Sequence, residues 1–218
     1  MRRPTSFATG LAAALAAFAL APLPAAAPSP PVGTEHMGTG PYAHMEGKLE
    51  KTLLQVDVFR ARLRFGTEAA EDLEALAAGE ELDEALESRI ANTAHQARHA
   101  ILRVRFLRDV DFDTFIDAAR TNARKARDAD MISSETYRHV RDSLPRWFAF
   151  LKDDGIHEGD RLIYRARPES LRTLYVDEAG TERLDQTDDG AEASRAALAG
   201  YFAPGVDIRE PLIRSLFD

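Results

Sequence analysis

The chain has 218 residues, 44% of them hydrophobic, and a formal net charge of −8. This apolar content is enough for one globular domain with a buried core. The chain contains no cysteine, which excludes disulfides, thiolate nucleophiles and zinc–thiolate sites. Its negative charge argues against nucleic acid or an anionic membrane surface as the main partner.

The N-terminus has the pattern of a secretory signal peptide. Two arginines precede an apolar run at 11–20, which is too short to span a bilayer, and small residues follow at 25–27. We therefore expect a signal peptide over 1–27, a flexible Pro- and Gly-rich lead-in over 28–44, and a folded domain over 45–218. Removal of the signal would leave no integral membrane segment, and we expect a periplasmic or secreted protein.

The first part of the folded domain carries strand signals and then helix signals. Apolar residues and arginines alternate in FRARLRF at 59–65, which predicts a strand with one buried face and one basic face. The residues before it have the opposite parity, which predicts a bulge or strand break near Asp57. Helices are expected over 67–79 and 80–97. The arginine row is interpreted as a solvated face paired to acids, with an anion site as the alternative.

A further strand and three helices follow. Alternation in ILRVRFLR at 101–108 predicts a strand whose arginines lie on its polar side. Asp111 is expected to cap a helix over 112–127, and Ser133 is expected to contribute to the cap of the next helix. Pro145 suits the first turn of another helix.

The C-terminal part contains three short alternating runs joined by tight turns, and two short helices follow them. The runs, at 160–167, 171–176 and 181–185, predict a β-meander. Strands grouped in hairpins and separated by long helical insertions indicate the α+β class with a mostly antiparallel sheet.

Common motifs of catalysis and metal binding are absent from the sequence. It has no glycine-rich phosphate loop, no GxSxG and no HExxH. His95 and His99 are spaced one helical turn apart, but they are interpreted as a basic helix end rather than metal ligands. Aspartate runs beginning at Asp109 and Asp185 lack the glycine or glutamate that a calcium loop needs. We expect no metal site and no cofactor.

Four segments in order resemble the chalcone isomerase-like family: EGKLEKTLLQVDVF, ILRVRFLRDVDFDTFIDAARTNA, GDRL with LYVDEAG, and YFAPGVDIREPLIRSL. The resemblance covers about 45–216. It implies an open-faced β-sandwich, in which a layer of helices packs on one side of a mostly antiparallel sheet, with a cleft for an apolar ligand between them. Enzymes of that family close a chalcone into a flavanone, whereas relatives without that activity bind fatty acids.

The family's catalytic residues are carried over one position at a time. The family asparagine corresponds to Asn122, and the family tyrosine corresponds to Phe115, which lacks a hydroxyl. The family threonine corresponds to Thr52 or Leu53.

The family arginine has no counterpart, because no arginine occurs between His36 and Phe59. Tyr42 and His44 are the nearest polar residues. The late hydroxyl position of the family falls near Gly200 or Tyr201.

These departures argue against chalcone cyclisation. The reaction needs donors that stabilise an enolate oxyanion, each typically worth about 3 kcal/mol, and the family tyrosine and arginine are both missing. We therefore expect a non-catalytic, lipid-binding protein that holds a small apolar or fatty-acid-like ligand, whose carboxylate would need an arginine. The expected ligand contacts are Asn122, Phe115, Thr52, Arg103 and Arg105.

Two alternatives stay open. One is an isomerase of the intramolecular lyase type that acts on an enone-type substrate with a different residue set, for which Tyr42, His44 and Asn122 are the candidates. The other is an interaction protein whose cleft is filled by its own aromatic side chains.

Overall fold

A computed structural model describes residues 43–51 and 56–217 of the chain. The predicted signal peptide and nearly all of the predicted lead-in lie outside the described residues, so both stay predictions. Among the described helices, none has the length and apolar character needed to cross a membrane.

An antiparallel sheet of six strands, arranged in the order of the sequence, is the centre of the described chain. The strands are β1 (His44–Lys51), β2 (Val56–Phe65), β3 (Ala100–Phe106), β4 (Arg161–Arg167), β5 (Ser170–Val176) and β6 (Glu182–Asp189).

Six α-helices pack against one face of this sheet. They are α1 (Thr67–Ala77), α2 (Glu84–His95), α3 (Phe112–Asp128), α4 (Ser134–Trp147), α5 (Ala191–Phe202) and α6 (Arg209–Arg214). The predicted α+β class, with a layer of helices on one side of an antiparallel sheet, is confirmed.

The core forms between the helices and the face of the sheet that carries the alternating apolar residues of the strands. Leu63, Leu102 and Leu162 are fully buried on neighbouring strands, and they belong to one cluster with Ile90 of α2 and Leu198 of α5. Burying each such side chain contributes about 1.5–3 kcal/mol to the free energy of unfolding. The alternation seen in the sequence therefore determines which face of the sheet the helices cover.

The opposite face of the sheet carries the arginines. Arg60 lies opposite Arg105 in the strand register, and Arg62 lies opposite Arg103. Glu46 of β1 forms ion pairs with the Nε atoms of Arg60 at 3.3 Å and Arg62 at 2.8 Å. The interpretation of the arginine row as a face paired to acids is confirmed for these two residues.

The N-terminal strand region contains the bulge that the sequence predicts near Asp57. The strands β1 and β2 pair with each other in antiparallel orientation, and their register shifts where Leu49 pairs with Phe59 and Glu50 pairs with Asp57. One extra residue of β2 lies at this point, and the parity of the apolar residues in β2 changes there. At the outer edge of β1 lies α6, where the Glu46 backbone N–H donates to Ser215 Oγ at 2.8 Å.

Two predicted helix caps are confirmed. Asp111 Oδ1 accepts from Thr114 N at 2.9 Å at the start of α3. Ser133 Oγ accepts from Thr136 N at 3.0 Å at the start of α4. Each bond satisfies one of the backbone donors that a helix leaves unpaired in its first turn.

The prediction that Pro145 begins a new helix is wrong, because α4 continues through it to Trp147. Proline has no N–H, so the carbonyl of Arg141, one turn earlier, loses its partner within the helix. The Nε atom of Arg120, on α3, donates to that carbonyl at 3.3 Å. A contact between two helices thus compensates for the proline, which a local sequence pattern does not reveal.

A buried carboxylate joins the start of β4 to the turn between β5 and β6. Asp160 accepts hydrogen bonds from the backbone N–H groups of His157 and Glu178, both at 2.8 Å, and from the Tyr175 hydroxyl at 2.5 Å. Burial, and then the bond to Asp160, raise the pKa of Tyr175.

Candidate functional site

A cavity of about 920 Å³ lies between the sheet and the helices α3, α4 and α5. This volume is in the upper part of the range typical of small-molecule sites. The sheet contributes alternate residues of β2 to β5, among them Phe59, Val104, Phe106, Leu162, Tyr164 and Thr173. The helices and the segment after α4 contribute Phe115, Asn122, Trp147, Phe148, Gly200 and Tyr201, among others.

Aromatic side chains form a connected wall on one side of the cavity. The Phe115 ring meets Phe106 of the sheet with centroids 6.3 Å apart, and it meets Phe148 at 5.0 Å, both edge to face. Such pairs contribute about 0.5–1.5 kcal/mol beyond the burial of their area. Phe115 therefore packs α3 against the sheet while part of its side chain faces the cavity. The aromatic residues line the space rather than fill it, so the hypothesis of a filled cleft is not supported.

Three residues with a side-chain hydroxyl, Tyr164, Thr173 and Tyr201, line the cavity from neighbouring elements. Tyr164 of β4 is opposite Thr173 of β5 in the strand register, and its ring centroid is 6.4 Å from that of Tyr201 on α5. Burial raises the pKa of both tyrosines, and the neighbouring Tyr164 raises that of Tyr201 further. Both phenols are therefore uncharged at neutral pH.

These hydroxyls have no partner among the residues that the structure describes. Within the described part of the chain, no hydrogen bond is formed by the side chains of Tyr164, Thr173 or Tyr201, and none of the three oxygens is sealed from solvent. Buried polar groups are normally paired, so hydroxyls left open in an apolar cavity mark a place where a ligand or water can bind.

Carboxylates surround the cavity where it opens. Its described lining includes Glu135, Asp188, Asp189, Glu192 and Asp207, and it includes no lysine or arginine. Thr136 Oγ1 donates to Glu192 Oε2 at 2.8 Å, which connects α4 to α5 at this rim. In the described residues there is no group of three or more acidic, histidine or cysteine side chains arranged to hold a metal ion.

Two of the predicted ligand-binding residues line the cavity. Phe115 and Asn122 lie two turns apart on α3, and both face this space. The side-chain amide of Asn122 forms no hydrogen bond within the described residues, so it is available to a ligand. Its role in binding or catalysis stays a prediction.

The other predicted residues are placed elsewhere. Arg103 and Arg105 lie on the opposite face of the sheet, because side chains alternate along β3 and their neighbours line the cavity. His44 is exposed on that same opposite face. The geometry gives these three residues no access to a ligand in the cavity. Tyr42 and Thr52 lie outside the described residues.

Sequence reasoning missed Tyr164 and the acidic rim as parts of the site. It placed the family's late hydroxyl position near Gly200 or Tyr201, and both residues line the cavity. For Tyr164 a signal existed, since it shares the parity of the buried residues Leu162 and Ala166 on β4. The rim is built from α4, β6 and α5, which are distant in sequence, and no local pattern brings them together.

No protein-family model and no curated protein sequence matches the chain. Among solved structures, the chain is similar to the crystal structure of a fatty-acid binding protein from Arabidopsis thaliana. The TM-score is 0.49 and the sequence identity is 13%, over 80% of this chain and 86% of that one. Similarity at this level establishes neither a family nor a ligand for the chain.

Proposed function

We propose that the chain is an exported binding protein that holds an apolar or amphipathic ligand in the cavity between the sheet and α3–α5. The observation that carries the proposal is the cavity of about 920 Å³, which is lined mainly by apolar and aromatic side chains. The N-terminal signal pattern is the support for export.

The composition of the walls supports binding of an apolar group. Phe59, Phe115 and Trp147 border the cavity and are only partly buried. Apolar surface that faces water costs about 25 cal/mol per Å², and a ligand that covers this surface recovers that free energy. A few polar groups in an otherwise apolar pocket are typical of sites that orient a small molecule.

The alternative of an enone isomerase gains no support from the described residues. Of its three candidate residues, Asn122 lines the cavity, His44 lies on the opposite face of the sheet, and Tyr42 is outside the described part of the chain. Phe115 contributes no hydroxyl to the cavity. His44 and Asn122 thus lie apart among the described residues, and binding is the function that the geometry favours.

Gly200 offers a direct test of the cavity. It borders the cavity from α5, and a Cβ atom placed on it would meet no atom within 4 Å. A Gly200→Leu side chain can therefore extend into the empty space without a clash at its base. Gly200→Ala is the matched control, because it gains the same helix propensity, about 1 kcal/mol, and fills little volume.

The experiment titrates a fluorescent apolar probe into the wild-type protein and both variants, and records their thermal unfolding. We expect the wild type and Gly200→Ala to bind the probe with similar affinity, and Gly200→Leu to bind at least tenfold more weakly while staying folded. Native mass spectrometry of the purified wild type should show a bound small molecule that organic extraction removes. Unchanged probe affinity in Gly200→Leu would show that the cavity is not the binding site.

A further inference from the structure

The chemistry of the cavity wall narrows the class of ligand, an inference that rests on the proposed function. We infer that the cavity selects an uncharged amphiphile, bound through a hydroxyl or carbonyl oxygen to the hydroxyl cluster of Tyr164, Thr173 and Tyr201, and that it discriminates against a fatty-acid carboxylate.

A carboxylate has no cation to pair with in this cavity. An ion that leaves water for an apolar site loses several kcal/mol of hydration free energy unless an opposite charge or several donors replace it. The described lining contains no lysine or arginine. An anionic head group would therefore depend on neutral hydroxyl and amide donors, without an opposite charge.

Three basic side chains of the surrounding helices bind backbone carbonyls outside the cavity. Lys125 of α3 donates to the backbone carbonyl of Gly205. Arg138 of α4 donates to the carbonyl of Ser134 at 3.3 Å. Arg120 of α3 is bound to the α4 carbonyl that the proline leaves unpaired. Each of these three side chains donates to a backbone carbonyl, and none of them lines the cavity.

The carboxylates at the rim of the cavity also repel an anionic ligand. Glu135 of α4, Asp188 of β6 and Glu192 of α5 come from three different elements and border the same opening. The hydrogen bond from Thr136 holds Glu192 in place at 2.8 Å. Negative charges around an opening lower the local concentration of anions and leave uncharged molecules unaffected.

The hydroxyl cluster is suited to a neutral oxygen. Burial raises the pKa of Tyr164 and Tyr201, so both keep their protons and can donate to a carbonyl or hydroxyl oxygen. Thr173 lies beside Tyr164 on the next strand and can either donate or accept. A ligand with an alcohol, ketone or ester group would complete hydrogen bonds that the protein itself leaves open.

The test compares three ten-carbon ligands at pH 8: decanoate, 1-decanol and methyl decanoate. Displacement of the apolar probe gives the Kd of each. At this pH the acid is ionised, because carboxyl pKa values are near 4–5. We expect 1-decanol and methyl decanoate to bind at least tenfold more tightly than decanoate.

The same titrations with Tyr201→Phe and Tyr164→Phe test the hydroxyl cluster. Each variant removes a hydroxyl that has no protein partner in the described chain, so both should fold, and the affinity of each variant for the apolar probe is measured alongside. We expect the affinity for 1-decanol to fall about fivefold to tenfold in at least one of them, as loss of one hydrogen bond predicts.

The outcomes distinguish failure of the inferred selectivity from failure of the proposed binding function. If decanoate binds as tightly as 1-decanol, the inferred selectivity is overturned while the binding function stands. If the alcohol binds more tightly but neither tyrosine variant weakens it, the hydroxyl cluster is not the recognition element. If none of the three ligands nor the probe binds, the proposed function itself is wrong.

Discussion

Two neighbouring tyrosines on the same face of the sheet differ in the hydrogen bonding of their hydroxyl groups. Tyr175 on β5 donates its hydroxyl to the buried carboxylate of Asp160 at 2.5 Å, whereas Tyr164 on β4 faces the cavity with no partner among the described residues. Burial raises the pKa of both. One hydroxyl is used by the fold, and the other has no hydrogen-bond partner among the described residues.

The surroundings of the two tyrosines explain the difference. Tyr175 packs edge to face against Phe148 and Phe150, and the ring centroids are 6.5 and 5.2 Å away. Tyr164 meets only one ring, that of Tyr201, among the described aromatic contacts. A buried polar group that is hydrogen-bonded within the protein adds to stability and specifies the core. A buried polar group without a hydrogen-bond partner marks a binding surface. Substitutions at the two places should therefore affect different properties.

The largest expected effect is at Asp160. Asp160→Ala leaves two backbone N–H groups and the Tyr175 hydroxyl without their acceptor, and each unsatisfied buried donor costs about 1–3 kcal/mol. We expect the free energy of unfolding, measured with urea, to fall by about 3 kcal/mol or more. Glu182→Ala, which removes an exposed carboxylate of β6, is the control and should change stability by less than about 0.5 kcal/mol. A loss at Asp160 no larger than in the control would contradict the structural role of this carboxylate.

The two tyrosines themselves give the next comparison. Tyr175→Phe removes one hydrogen bond to a charged acceptor and should lower the free energy of unfolding by about 2 kcal/mol. Tyr164→Phe removes a hydroxyl that no described residue binds, and it should leave stability within about 0.5 kcal/mol of the wild type. Urea unfolding of both variants checks the pair. Equal losses at both positions would show that the tyrosines do not differ in the way the structure indicates.

The smallest effect concerns a buried polar group that titrates. Burial lowers the pKa of His95 on α2, and the carbonyls of Ala91 and Asn92 oppose this shift in part. The folded state thus binds a proton less readily than the unfolded chain, whose histidine pKa is about 6.5. The stabilising contribution of neutral His95 is complete above that pH, and it is lost as the pH falls towards the lower folded pKa.

Thermal unfolding between pH 7.5 and 5.5 measures this contribution. Because other groups also titrate, the informative quantity is the difference between variants. We expect His95→Gln to show a smaller fall in Tm across this interval than the wild type. His99→Gln, at an exposed position one turn later, should keep the wild-type slope. Parallel slopes for the wild type and His95→Gln would exclude the predicted linkage.

The architecture could be predicted from the sequence because its signals are local. Period-two alternation in β2 and β3, the caps at Asp111 and Ser133, and the turns of the C-terminal meander each depend on residues close together in the chain. The α+β class follows from their order. The bulge in β2 near Asp57 could also be predicted, because the parity of the apolar residues changes there.

The site was harder to predict because it depends on packing between distant segments. The resemblance to the chalcone isomerase-like family pointed to Phe115 and Asn122, and both line the cavity from α3. It also suggested Arg103 and Arg105 as contacts for a carboxylate. The alternation of β3 already assigned these arginines to the polar face of the sheet. Because the cavity lies on the apolar face, neither arginine can contact a ligand in it.

The order of the strands leaves β1 and β6 as the edges of the sheet, and unprotected edges can pair with other chains and aggregate. At β1, α6 approaches so closely that a Cβ on Gly47 would lie 3.1 Å from Leu212 N and from Pro211 Cβ. The other edge, β6, carries acidic residues along its length, namely Glu182, Asp185, Asp188 and Asp189. A foreign strand is thus opposed at one edge by steric exclusion and at the other by charge, which favours solubility of the folded chain at high concentration.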